Sequence, residues 1–165
     1  MDEAELTFEQ LRDPYGIRFW PGFKGRDGCR TPMVWEAAQK NAGFSTGVTW
    51  LPVSAESAAR AVDVQERDGG SVLAHYRAVL AARKAERALV EGGFAFLYSG
   101  RDVLAFVRES KGRRVLSVFN FSEQPVKWKL PRGVEVGTAV LPGTGRVDRG
   151  VVMLPPLGSL VAGLK

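Results

Sequence analysis

The sequence holds one cysteine, Cys29, and one histidine, His75, in 165 residues. A lone cysteine excludes an intramolecular disulfide, and Cys29 with His75 is too small a ligand set for a zinc site. The same scarcity excludes every Ser-His-Asp or Cys-His arrangement that does not use His75. No run approaches the roughly 18 apolar residues that a membrane helix needs. The opening MDEAELTFEQ has no basic residue and no apolar stretch. No secretory leader is therefore expected, and a soluble cytoplasmic protein without a membrane partner is. Neither a cofactor nor a bound metal is expected.

What is present has an ordinary globular balance, with 45% apolar and 25% charged residues. The net charge of +5 is unevenly placed. Residues 1–67 carry 8 basic and 10 acidic side chains, so 8 − 10 = −2, while residues 68–165 carry 15 and 8, so 15 − 8 = +7. The densest basic run is RESKGRR at residues 108–114. It reads either as a phosphate-binding patch or as a hairpin tip that blunts strand edges with charge. Glu109 inside the run and the lack of an aromatic platform favour the tip. No nucleic-acid partner is expected.

The chain changes character twice. Residues 1–67 are rich in Pro, Gly, Trp and charge, with little periodicity. Residues 68–91 read as a helix. Asp68-Gly69-Gly70 precedes the cap Ser71, and Val72, Leu73, Tyr76, Val79 and Leu80 make one apolar stripe. Gly92-Gly93 ends it. His75 lies inside this helix, without a second ligand or nucleophile in view, and reads as structural. After Gly93 the period becomes two. Strands are expected at residues 94–98, 103–108, 113–121, 126–130, 134–141, 150–154 and 157–162. Ser110-Lys111-Gly112 and Pro142-Gly143-Thr144-Gly145 read as turns. This is an antiparallel sandwich that would gain from packing on the preceding helix. The fold class is α+β.

Residues 13–53 carry three of the four tryptophans, Trp20, Trp35 and Trp50, along with Phe19, Phe23 and Phe44. A long irregular segment with this much aromatic surface is a functional loop or a piece packed on something larger. Rings with Arg and Asp beside them suit sugar, because rings cover the apolar faces of pyranoses and charged forks bind vicinal hydroxyls. The same rings also serve to anchor a loop. Cys29 reads as a small packed residue, for want of a nearby base.

Within this segment, Gly25-Arg26-Asp27-Gly28-Cys29-Arg30-Thr31-Pro32-Met33-Val34-Trp35 resembles the RDxxRTPMxW signature of the α-glucosidase and oligo-1,6-glucosidase group in glycoside hydrolase family 13. Asp13-Pro14, Asn41-Ala42-Gly43-Phe44-Ser45, Trp50-Leu51-Pro52-Val53 and Val62-Asp63-Val64-Gln65 follow the family's order. Val34 departs from it, standing where the family often has Gln. The resemblance is close over residues 1–120 and loose in the last strands. It implies the terminal segment of a (β/α)8 barrel over residues 1–90 and an antiparallel β-sandwich, domain C, over residues 91–165.

The family cleaves α-glucosidic bonds with an Asp nucleophile, a Glu acid/base and a second Asp, all upstream of the matching segment. No catalytic residue is therefore expected here. Asp27 and Asp63 match the retaining pair only by residue type. The resemblance places Arg30 at the subsite for the non-reducing glucose, paired with a carboxylate from the missing barrel portion. It has Arg26 and Asp27 shape the same loop; the plainer reading is that these two pair with each other or cap a turn. The implied partners are an α-glucoside oligosaccharide and the N-terminal barrel portion of the same enzyme. Met1 stands where a relative would continue, which points to a truncation, a fragment or a split enzyme. The alternative is a stand-alone sugar-binding or structural β-sandwich.

Overall fold

The structure, a computed structural model, describes residues 6–165. Asp2, Glu3 and Glu5, part of the opening read as lacking a leader, lie outside the described residues. The chain divides into two compact units, one ending at Ala74 and the other running from His75 to Lys165.

The first unit is built of short helices and long loops, as its Pro and Gly content dictates. Helix α1 spans Pro14–Phe19, α2 spans Ala55–Ala59 and α3 spans Val62–Glu66. The starts of α1 and α2 are legible. Asp13 accepts the N–H of Tyr15 at 3.2 Å with Pro14 at the first helical position. Ser54 accepts the N–H of Ser57 at 3.1 Å. Single 3₁₀ turns lie at Phe8–Gln10, Asp27–Arg30 and Lys40–Gly43. Leu6, Leu11 and Leu51 form a small buried cluster.

Helix α4, Val72–Ala85, starts where the sequence places it, since the Ser71 hydroxyl accepts the N–H of Ala74 at 3.1 Å. Gln65 fastens that start: its Oε1 accepts the N–H of Leu73 at 3.1 Å, and its carbonyl accepts the Ser71 hydroxyl at 2.8 Å. The expected apolar stripe stays uncovered. None of the 14 residues of α4 is buried, and Val72, Tyr76 and Leu80 are exposed.

The single helix expected to Glu91 is two. Glu86 leaves helical geometry, with φ −98° and ψ 98°, and caps α5, Arg87–Glu91, by accepting the N–H of Ala88 at 3.3 Å. Its other oxygen accepts Arg113 Nε at 3.0 Å, a strand partner that sequence reading could not see. Ala88 and Leu89 of α5, not the stripe of α4, bury against Val115 and Val161 of the sandwich. The packing expected of the preceding helix thus comes from α5.

The second unit carries eight strands: β1 Gly93–Ser99, β2 Val103–Ser110, β3 Arg113–Asn120, β4 Val126–Lys129, β5 Val136–Ala139, β6 Arg146–Asp148, β7 Val151–Leu154 and β8 Ser159–Leu164. They form a five-stranded sheet ordered β1-β2-β3-β8-β5 and a three-stranded sheet ordered β4-β7-β6, with every pairing antiparallel. Alternation turns Val103, Ala105, Val107, Leu116 and Val118 of the first sheet toward Leu130, Val152 and Leu154, and this is the core. On β4, Val126 and Trp128 pack against that core.

Strand β6 was not expected. It is three exposed residues long, too short to show a period. Its pairing Asp148↔Val151 closes a two-residue turn in which Arg149 (φ 45°) and Gly150 (φ 76°) both take positive φ, the requirement of a type I′ hairpin. Lys111 (φ 49°) and Gly112 (φ 80°) do the same between β2 and β3. The basic run is accordingly a hairpin tip. Arg108 donates to the Gly92 carbonyl at 2.7 Å, and Arg113 and Arg114 pair with Glu86 and Glu109. Strand β5 is shorter than expected, and its register against β8 slips between Val136 and Ala139.

Buried Asn120 locks the end of β3. Its amide donates to the carbonyls of Gln124 and Pro155, both at 2.8 Å, and its Oδ1 accepts the N–H of Ser122 at 2.9 Å.

Candidate functional site

The signature residues sit in the first unit, in a clasp between two chain segments. The first segment turns at Asp13 into α1, and the second carries Gly25, Arg26 and Asp27. Glycine is required where they cross. A Cβ on Gly16 would lie 2.5 Å from the Lys24 carbonyl oxygen. A Cβ on Gly25, whose φ is +78°, would lie 2.8 Å from the nitrogen of Gly16 and 3.0 Å from Asp13 Oδ2.

Two fully buried carboxylates close the clasp. Asp27 Oδ2 accepts the backbone N–H of Arg12 at 2.6 Å and of Asp13 at 2.9 Å. In return Asp13 Oδ2 accepts the backbone N–H of Arg26 at 2.8 Å and its Nε at 2.9 Å, while Oδ1 takes Arg26 Nη2 at 3.3 Å. The Arg26 side-chain bonds hold the Asp13 carboxyl well below the usual carboxylate range, against the opposing effect of burial. The same bonds raise Arg26 above its ordinary value. Arg26 therefore pairs with Asp13 and not with Asp27. Asp27 Oδ1 is buried and has no hydrogen-bond partner among the described residues.

The 3₁₀ turn Asp27–Arg30 grows out of this anchor, with the Cys29 N–H donating to the Arg26 carbonyl at 3.2 Å. Arg30 is its last residue. It is exposed, and its side chain has no hydrogen bond or ion pair to another described residue. Cys29 is exposed too, and its thiol donates to the Arg26 carbonyl at 2.9 Å. The sequence reading of Cys29 as packed is thus corrected: a tight turn carries its side chain outward. Beyond Arg30, Pro32 is buried, while Met33 and Trp35 are each 49% exposed.

The tryptophans Trp20 and Trp50 and the phenylalanines Phe19, Phe23 and Phe44 are exposed as well. Residues 41–43 hold a run of left-handed backbone, with φ of 51°, 50° and 72°. Asn41 supports it by donating to the carbonyls of Ser45 and Gly47 at 2.9 and 2.7 Å.

Asp63 is occupied elsewhere. Its Oδ1 accepts the N–H of Ala37 at 3.0 Å, and its other oxygen pairs with Arg67. Asp27 and Asp63 thus each hold backbone in a different part of the unit. Among the described residues no cluster of three or more His, Cys, Asp or Glu side chains could hold a metal. None of their helices is long and apolar enough to cross a membrane. Sequence reading missed Asp13 as the partner of Arg26, although Asp-Pro at a helix start was a visible signal for a cap.

The model of the alpha amylase catalytic domain matches residues 1–92, more than half of the chain. The chain belongs to the alpha-amylase family. Residues 94–144 of this alpha-amylase-family chain match the maltogenic amylase C-terminal domain. It is 51% identical over 129 residues to a probable alpha-glucosidase of Rhizobium meliloti (strain 1021), covering 78% of this chain and 23% of that protein. It is 34% identical over 127 residues to a probable oligo-1,6-glucosidase 2 of Bacillus subtilis (strain 168), covering 76% and 22%. Among solved structures it is similar to an alpha-glucosyl transfer enzyme, XgtA, at a TM-score of 0.87 and 47% identity, over 100% of this chain and 31% of that one. It is also similar to the trehalulose synthase MutB from Pseudomonas mesoacidophila MX-45, at a TM-score of 0.79 and 25% identity, over 98% and 33%. The chain therefore spans less than a quarter of the length of these two curated relatives. Its architecture is the end of an alpha-amylase-type (β/α)8 barrel followed by an antiparallel C-terminal domain.

Proposed function

We propose that this chain supplies the substrate-holding loop and the C-terminal sandwich of an enzyme that hydrolyses α-glucosidic bonds in oligosaccharides. The nucleophile and the acid/base come from the part of the relatives' barrel that lies outside the matched region. In this reading residues 1–90 close the barrel and residues 91–165 are domain C.

The observation that carries the proposal is the contrast between Arg26 and Arg30. Both belong to the signature. Arg26 is bound to buried Asp13, whereas the Arg30 guanidinium has no partner among the described residues. A guanidinium binds a carboxylate and sugar hydroxyls in one fork geometry. Arg30 holds the terminal glucose together with a barrel carboxylate. Arg26 and Asp27 act one step back, setting the turn from which Arg30 projects. Asp27 and Asp63 do not form the catalytic pair, because retaining hydrolysis needs two free carboxyls about 5–5.5 Å apart around the bond.

The test is turnover of p-nitrophenyl α-glucoside and maltose. The purified chain alone should give none above background. With the catalytic barrel portion of a relative added, it should release free glucose. Turnover by the chain alone, lost in Asp27→Ala or Asp63→Ala, would overturn the proposal. Formation of a new glucoside in place of free glucose would reassign the reaction to α-glucosyl transfer, the activity named for XgtA.

A further inference from the structure

The three-stranded sheet carries a charged groove that the proposed function does not use. Val126 and Trp128 of β4 turn inward to the core. Alternation therefore sends Lys127 and Lys129 outward. Register sets Lys127, Met153 and Arg146 in one row across β4, β7 and β6. Met153 is half-buried, and the two cations are exposed. Neither cationic side chain has a hydrogen bond or ion pair to another described residue. Beside this row lies an open groove of about 330 Å³, lined also by Pro125, Thr144, Leu154 and Pro155. Its surface is mostly apolar.

We infer that this groove binds a free alkyl carboxylate, with its head between Lys127 and Arg146 and its chain along Met153 and the prolines. Charge selects the head. Strands β4 and β6 flank β7, so their cations start about 10 Å apart, two strand spacings. Both side chains are long enough to converge above Met153 on one carboxylate, which accepts from each. No acidic side chain lines the groove. Asp148 shares the face but sits in the next row, opposite Val151, and pairs with neither cation.

The lining selects the chain. Met153 is an adaptable apolar side chain, and Leu154 and the two prolines offer no side-chain donor. A bare inorganic anion would leave this apolar surface in water. The groove holds no aromatic ring on which a base or a pyranose could stack, and Thr144 supplies its one hydroxyl. Its volume is at the small end for ligand clefts, which suits a short chain. Every lining residue belongs to the second unit, so binding here needs neither Arg30 nor a barrel carboxylate.

The experiment titrates the full chain with octanoate, hexanoate, acetate and uncharged 1-octanol, and follows the Met153 methyl by NMR. One saturable site for octanoate is expected. Hexanoate, two methylenes shorter, should bind about four- to sixteenfold more weakly, at about two- to fourfold per methylene from partial to full burial. 1-Octanol keeps the chain without the charge and should bind at least about tenfold more weakly than octanoate. Lys127→Gln/Arg146→Gln should raise the octanoate Kd at least about tenfold at unchanged Tm. Lys127→Gln alone should raise it less, and Lys129→Gln, one row away, should leave it near wild type. The ligand series on the wild-type chain tests the same claim without any substitution. Acetate as tight as octanoate would make the site an unselective anion patch and overturn the inference. Equal octanoate affinity in the folded double variant, or 1-octanol matching octanoate, would also overturn it. Retention on anionic phospholipid vesicles without saturable octanoate binding would assign the face to a membrane instead.

Discussion

Asp27 accepts the backbone N–H of Asp13 at 2.9 Å, and Asp13 accepts the backbone N–H of the residue before Asp27 at 2.8 Å. Each carboxylate holds the other's chain segment. The arrangement uses two of the signature's three charged side chains, Asp27 on backbone and Arg26 on Asp13, to hold the loop. In the proposed role Arg30 needs a fixed origin, and the Asp13 and Asp27 side-chain locks hold the two segments it projects from.

Arg30 is the residue whose loss should be felt in catalysis. Truncating one partner of a buried, charged hydrogen-bonded pair costs roughly 2–5 kcal/mol. At about 1.4 kcal/mol per decade, Arg30→Ala in the assembled enzyme should lower kcat/KM by at least about 30-fold. Arg30→Lys keeps charge without the fork and should also be impaired. Because Arg30 is exposed in this chain, Tm should move little. Steady-state kinetics on one α-glucoside with parallel melts is the check, and near-normal kcat/KM in Arg30→Ala would make the signature a packing motif.

Asp27 should show the opposite pattern. Asp27→Ala leaves the amides of Arg12 and Asp13 without an acceptor, at about 1–3 kcal/mol for each buried group. Asp27→Asn retains a carbonyl oxygen able to accept from both, and should be much milder. Hydrogen exchange at the Arg12 and Asp13 amides measures this directly. Exchange should accelerate in Asp27→Ala and stay near wild type in Asp27→Asn.

Asp13 should confer acid sensitivity on the first unit. Its folded pKa lies below the ordinary aspartate value of about 3.9. Over that interval the unfolded chain binds more protons than the folded one. The stabilisation is therefore complete above the unfolded value and is lost as pH falls through the folded one. Asp13→Asn should be less stable than wild type at neutral pH, and the two should converge as pH drops below about 4. Parallel curves down to the acid limit would show that the Asp13 charge contributes nothing.

Asn120 is the corresponding lock in the second unit. Replacing it with Ala strips partners from two carbonyls and one N–H, and should destabilise the sandwich by about 2 kcal/mol. A urea melt following hydrogen-exchange protection of the β3 and β8 amides would report it, with a lower midpoint at unchanged slope.

Hairpins and cores were legible where the local rule and the tertiary environment agree. Lys111-Gly112 announces a turn, and Val126, Trp128 and Leu130 announce a half-buried strand, because periods and turn residues act within a few positions. Strand β6 escaped because three exposed residues carry no period. The break at Glu86 escaped because Arg113, the strand residue that engages its carboxylate, lies 27 positions away.

The sequence by itself determined the family, the change from helix to sheet near Gly93, and the set of charged residues around the signature. These depend on residue type and near spacing, which a single chain displays in full. Only the tertiary structure decided how those charges are shared. Arg26 could have paired with Asp27 beside it, and the fold gives it to Asp13 instead. The reason is geometric: the left-handed Gly25 and the bare Gly16 let two segments cross closely enough for each aspartate to reach the other's amides. That crossing occupies Arg26, while the Arg30 side chain has no partner among the described residues.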